Sequence, residues 1–207
     1  MKIFKKTSFL QLLTHIGSIF PLGILFWDFY SHQLTVNPIQ AATQRTGKIA
    51  LVLLVLSLAC TPMNTIFHFP RLLNLRKTFG LYAFLYASIH ALIFAIIDYG
   101  LDWRQILQTV TENQYLWPGI TAFVILLALA ITAIDYFKTQ MGKNWKRLQR
   151  GVYLVGILVV VHYLMVIKGS VLRLRGDIFQ PLLYGLALAI LLLLRLPAIK
   201  NWLIKNR

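Results

Sequence analysis

The sequence predicts an all-α integral membrane protein, a bundle of six transmembrane helices with both termini in the cytoplasm. Three observations carry this expectation. The 207-residue chain is 58% hydrophobic and has a mean hydropathy of +0.68, whereas soluble domains are roughly 45–50% apolar. Its apolar residues fall in blocks of about twenty, the length of a helix that crosses a hydrocarbon core of ~30 Å. Its charge is one-sided, with 21 Lys+Arg against 6 Asp+Glu and a formal net charge of +15. In a soluble chain that excess would point to nucleic acid. Between apolar blocks it points instead to orientation, because basic residues collect on the cytoplasmic side of membrane helices. The polar stretches are short, so residues 1–207 are expected to form one domain.

The six segments run over about 8–30, 46–66, 79–98, 116–136, 151–168 and 178–197. Backbone groups in lipid must be satisfied within the segment, so each is read as a helix. The first follows a basic start, MKIFKKTSFLQLL. Its apolar run continues to about Tyr30 without a small-x-small cleavage site, so it reads as a retained span rather than a signal peptide. Pro21 is expected to kink it. The second contains Cys60, a lone thiol without a disulfide partner or zinc-site spacing, read as a packing residue. Pro62 is expected to end or bend that span. The third and fourth are joined by DYGLDWRQILQTVTENQY, where Leu101, Ile106, Leu107 and Val110 recur at near-helical spacing and Asp102 is placed to cap. This predicts a short amphipathic helix on the outer surface, sealing the bundle rim or docking a partner. Trp117 suits the interfacial belt and Pro118 the first turn of the fourth span. No internal repeat is evident.

The basic residues set the topology. With the N-terminus inside, the cytoplasmic segments hold Lys2, Lys5, Lys6, Arg71, Arg76, Lys77, Lys138, Lys143, Lys146, Arg147, Arg150, Arg195, Lys200, Lys205 and Arg207. The opposite face holds Arg45, Lys48, Arg104, Lys168, Arg173 and Arg175. Fifteen against six places both termini in the cytoplasm.

Ionisable residues inside spans are costly and mark functional candidates. His32 and His68 fall in loops and read as solvated; His15, His90 and His162 fall in spans. His90 stands eleven residues into the third segment and His162 eleven into the fifth, and both segments enter from the cytoplasmic side. At ~1.5 Å per residue, both lie roughly 16 Å from the inner edge. Two imidazoles at one depth on parallel helices suit ligation of a haem iron from both faces. Such ligation fills both axial positions and favours electron transfer over chemistry on a bound molecule. Ala83, Tyr86, Ala87 and Phe94 flank His90, and Val155, Leu158, Val159 and Val166 flank His162, on faces suited to a flat macrocycle or to ordinary helix contacts. The same histidines equally suit hydrogen bonds to backbone or to each other. His15, beside Thr14, suits support of a cofactor or an inter-helix hydrogen bond.

The stretches RTGKIALVLLVLSLACTP, LRKTFGLYAFLYASIHALIF and GKNWKRLQRGVYLVGILVVVHYL closely resemble the MsrQ/YedZ family. These are the haem-binding membrane subunits of periplasmic methionine sulfoxide reductase systems, within the ferric reductase-like transmembrane proteins. The resemblance runs nearly end to end. It implies haem b, and FMN as a further cofactor, in a bacterial inner-membrane protein. It implies electrons taken from the quinone pool or a cytosolic flavin reductase and passed to a periplasmic molybdopterin-containing subunit. It implies His90 and His162 as ligands and matches His15 to a family histidine in the first span. The chain departs from the family pattern at Gln149, where a further histidine is expected thirteen residues before His162. A glutamine amide is a poor haem ligand, and so are Arg76 and Lys77, so a second haem on the cytoplasmic side lacks its ligand. Arg76, Lys77, Arg147 and Arg150 suit propionates or a flavin phosphate, or serve only as positive-inside charges.

The expected role is a cytochrome b-type conduit, an electron-transfer subunit rather than a catalytic chain. Lys168, Arg173 and Arg175, with the outer amphipathic helix, would form the exit surface, a basic face for an acidic partner or for anionic lipid. Paired carboxylates, a nucleophile triad, a Walker loop and zinc spacing are all missing from the sequence. The acids Asp28, Asp98, Asp102, Glu112, Asp135 and Asp177 stand nearly all at span ends. Hydrolytic chemistry is therefore not expected. The alternatives are a stand-alone ferric or quinone reductase cytochrome, and a transport or assembly protein without a redox centre. The first would lack a cytosolic FAD/NADPH domain; the second would lack intramembrane acids.

Overall fold

The computed structural model describes residues 9–167, 178–197 and 199. Lys168, Arg173 and Arg175 of the expected exit surface lie outside the described residues, as do Lys2, Lys5, Lys6, Asp177, Lys200, Lys205 and Arg207. The described residues are helical: α1 Phe9–Tyr30, α2 Pro38–Phe67, α3 Arg71–Leu92, α4 Trp103–Glu112, α5 Leu116–Ile131, α6 Asp135–Met141, α7 Lys143–Gln149, α8 Gly151–Val166 and α9 Phe179–Leu193. A π-helical turn, Ile93–Asp98, extends α3. Four helices are long and apolar enough to cross a membrane: α1, α2, α3 with its π turn, and α7 with α8. The pair α4 and α5, bent by 115°, makes a fifth if taken as one span, and α9 is a shorter apolar helix.

Several helices begin before the apolar blocks do. α2 starts eight residues ahead of its block, because Asn37 accepts a hydrogen bond from the Gln40 N–H and Pro38 occupies the first turn. Both are helix-start chemistry that hydropathy does not register. α3 begins at Arg71 rather than near Phe79, after a three-residue connection from α2. His68 does more than meet solvent there. It takes the left-handed conformation (φ 53°, ψ 40°), and its N–H closes the helix onto the Asn64 carbonyl. α5 ends at Ile131, five residues short of its expected end, and Asp102 caps α4 through the N–H groups of Arg104 and Gln105.

Pro62 does not end α2, which runs five residues beyond it. Proline has no N–H for the carbonyl four residues earlier, here Leu58. Arg195, just past α9, donates from Nη2 to that carbonyl and from Nη1 to the Tyr153 hydroxyl at 2.6 Å, with its guanidinium 5.0 Å from the Tyr153 ring centre. The missing backbone donor is thus replaced by a side chain from the other end of the chain.

The core is built by α2, α3, α5, α8 and α9 around Leu54, Leu58, Ala83, Tyr86, Leu126 and Val155. α2 packs along α3, α5 along α8, α3 against α5 and α8 against α9. α8 approaches α9 closely at Gly156, where a Cβ would lie 2.9 Å from Leu188 Cδ1. Small residues allow such approach where lipid gives no hydrophobic drive to pack. α1 flanks α2 and α3, pinned by the buried bond from the Tyr86 hydroxyl to the Ser18 carbonyl (2.8 Å) and by an Arg45–Asp28 ion pair. Its Phe9, Phe20, Phe26 and Trp27 stay exposed, an apolar surface of the kind lipid covers. Cys60 is buried and its thiol bonds to the Leu56 carbonyl, as a packing residue should.

Candidate functional site: a facing histidine pair

His90 and His162 come together. Their ring centres are 6.4 Å apart and their planes are inclined by 85°. They reach this arrangement from α3 and α8, nineteen residues beyond Arg71 and Lys143, where the two helical segments begin. The two rings thus meet at equal residue counts from the starts of helical segments longer than the apolar blocks.

Each ring is held by a carbonyl of a neighbouring helix. His90 Nδ1–H donates to the Thr43 carbonyl at 2.9 Å, and His162 Nδ1–H to the Tyr115 carbonyl at 2.7 Å. With Nδ1 engaged as donor, the neutral imidazole keeps Nε2 as its lone-pair nitrogen. The separation is also chemically meaningful. A metal–imidazole bond is ~2.0 Å, and the ring centre lies ~1.1 Å beyond the nitrogen, so two imidazoles on one metal ion have centres about 6.2 Å apart. Among the described residues no group of three or more His, Cys, Asp or Glu gathers around a point. What these side chains offer is two Nε2 nitrogens, which would suit a metal whose remaining ligands arrive with it.

The two halves of the pair repeat one another. His162 follows His90 by 72 positions, as Tyr115 follows Thr43 and Gly119 follows Gly47. Gly47 and Gly119 each lie against the histidine of their own half: a Cβ at Gly47 would stand 3.1 Å from His90 Nδ1, and one at Gly119 would stand 2.9 Å from His162 Nδ1. Three positions thus share one offset, although the surrounding sequences differ. The signal was there in the equal glycine-to-histidine spacing, but it meant nothing until α2 was seen beside α3 and α5 beside α8. The π turn that opens three residues after His90 was also missed; such turns cluster at functional sites.

The other expected site residues lie elsewhere. His15 Nδ1 hydrogen-bonds the Tyr82 hydroxyl at 2.9 Å, an inter-helix bond two turns along α3 from His90. The two line a cavity of about 270 Å³ with Thr78, Leu81 and Leu85. Arg76 is half-buried, and its carbonyl accepts from the Ser57 hydroxyl at 2.9 Å. Arg150 is exposed at the start of α8. At ~1.5 Å per residue, these arginines stand roughly 20 Å along their helices from the histidines. Gln149 is committed to structure: its Nε2 donates to the Leu129 carbonyl and the Thr132 hydroxyl, both at 3.2 Å, at the end of α5. Arg195 is more than a cytoplasmic charge, since it bonds Leu58 and Tyr153.

Residues 46–160 match the family model "Ferric reductase like transmembrane component". The histidine pair sits within and just beyond this match. The chain is also 37% identical over 180 residues to the "Protein-methionine-sulfoxide reductase heme-binding subunit MsrQ" of Bordetella pertussis, covering 87% of this chain and 85% of that one. Identity to the protein of the same name from Caulobacter vibrioides is 34% over 184 residues, covering 88% and 84%.

This chain belongs to the MsrQ family.

As an MsrQ family member with a transmembrane family match and several apolar spans, it is a multi-pass membrane protein. The MsrQ relatives are named for binding heme.

Proposed function

We propose that this chain is the haem-binding, electron-transferring membrane subunit of a methionine sulfoxide reductase system, with haem b held between His90 and His162. The single observation that carries the reading is the 6.4 Å separation of two imidazoles whose Nδ1 atoms are already engaged. When bound, haem supplies a one-electron couple; the chain's own residues supply the rest. His90 and His162 would hold the group through their Nε2 nitrogens, and the chemistry it would supply there is electron transfer. The Thr43 and Tyr115 carbonyls fix the tautomer and raise ligand basicity. Apolar packing around Leu54, Tyr86, Leu126 and Val155 keeps water away.

In this reading residues 1–207 form one domain of six spans in a bacterial inner membrane, with α9 as the sixth span and both termini cytoplasmic. Electrons enter from the quinone pool or a cytosolic flavin reductase and leave toward a periplasmic molybdopterin-containing subunit. His15, Arg76 and Arg150 stand away from the pair, so any part they play is at an FMN or at the point of electron entry. One haem per chain fits the engagement of Gln149 at the end of α5.

The test is a reduced-minus-oxidised spectrum of the purified protein with haem quantified per chain. A b-type spectrum at about one haem per chain, lost in His90→Ala and in His162→Ala, is the expected result. A folded but colourless protein would remove the reading, and two haems per chain would remove the single-site version.

A further inference from the structure

We propose that Gly47 and Gly119 are positioning residues for the two histidine ligands, each keeping open the side of the helix carbonyl that its histidine uses. This rests on the reading of His90 and His162 as haem ligands and deepens it.

The reason lies in helix geometry. In an α-helix the carbonyl of residue i accepts the N–H of residue i+4. The Cβ of residue i+4 points back toward the N-terminus, over the turn that holds that carbonyl. A carbonyl oxygen has two lone pairs, so a side chain from a neighbouring helix can bond it as well, but only if the flank is clear. Thr43 and Gly47 stand in this i, i+4 relation on α2, and Tyr115 and Gly119 stand in it at the start of α5. In both halves the histidine donates to the carbonyl at i, while its ring lies against the residue at i+4.

Added methyl groups would collide with the rings. At Gly119 a Cβ would lie 2.9 Å from both Nδ1 and Cε1 of His162 and 3.3 Å from Cγ; at Gly47 it would lie 3.1 Å from Nδ1 and 3.2 Å from Cε1 of His90. These contacts fall on Nδ1, the nitrogen that bonds the carbonyl, so the imidazole must tilt or leave its carbonyl. Glycine weakens a helix interior relative to alanine, and at both positions that cost is accepted in a span. Gly23 provides the contrast: a Cβ there meets nothing within 4 Å.

The experiment compares Gly47→Ala, Gly119→Ala and Gly23→Ala with the parent, all purified with haem. It reads low-temperature EPR of the ferric state and the midpoint potential. Loss of a carbonyl bond makes an imidazole a weaker donor, so the potential should rise and the largest g value should move in Gly119→Ala and, less so, in Gly47→Ala. Gly23→Ala should match the parent. A folded Gly119→Ala protein that has lost its haem also supports the proposal. If Gly119→Ala fails to fold, Gly47→Ala, where the approach is less close, carries the test. Gly47→Ala and Gly119→Ala proteins with full haem, unchanged g values and unchanged potential would overturn it. The failure of the underlying reading looks different: a parent without haem, or a haem signal that survives His162→Ala.

Discussion

The α2–α3 half and the α5–α8 half of this molecule agree at one end and diverge at the other. Around the histidines the same contacts recur: carbonyl, glycine and imidazole stand at an offset of 72 positions. At the far end they do not. α2 runs through Pro62, and Arg195 takes over the Leu58 carbonyl that proline leaves unpaired. At the corresponding place α5 stops. Its last carbonyls are taken by Trp145 Nε1, donating to Thr132 at 2.7 Å, and by Gln149 Nε2, donating to Leu129. Both halves thus have carbonyls near this end that side chains take up, Leu58 in one and Leu129 and Thr132 in the other. Such a carbonyl needs only a donor, and many side chains qualify. An imidazole bonded to a helix carbonyl past a close glycine needs one approach and one tautomer, so the two halves converge where the geometry is narrow.

This comparison can be broken at either end, and the effects should fall in order. Replacing either histidine by alanine should abolish the haem spectrum, because one imidazole cannot fill both axial positions; equal losses in the two variants would show that the halves contribute alike. Next comes Arg195→Met, which leaves the Leu58 carbonyl without its donor and should cost about 1–3 kcal/mol in a detergent unfolding titration. In a Pro62→Ala background the restored backbone N–H can serve Leu58, so the same substitution should cost less, and a double-mutant cycle measures that difference. Equal costs in both backgrounds would contradict the role given to Arg195. Gln149→Leu should cost about 1 kcal/mol by the same assay, since Trp145 still caps Thr132. The smallest effect belongs to Asp28→Asn, which removes the partner of Arg45 at a partly exposed pair (42% and 17% exposed) and should cost no more than ~1 kcal/mol, less at high salt.

Much of this was readable before any coordinates. Hydropathy located the apolar blocks because lipid demands continuous apolar surface. Equal spacing into two apolar segments singles out the histidine pair because helix rise is constant. Hydropathy measures the part of a helix that meets lipid, however, not the helix. It therefore missed the polar first turns of α2 and the basic α7, both helical through capping and propensity. The partners of His90 and His162 were hidden for a different reason. A backbone carbonyl carries no side-chain signature, and a glycine in a span reads as an ordinary packing residue until its neighbour is known. Pro62 reads as a breaker only while its rescuer, 133 positions away, is unplaced.

The most direct test of the central claim is low-temperature EPR of the purified ferric protein. Two imidazoles inclined by 85° on one iron should give a strongly anisotropic low-spin signal with a large highest g value, replaced or lost in both His90→Ala and His162→Ala. A high-spin signal in the parent, or a low-spin signal that persists without His162, would contradict a haem held between these two residues.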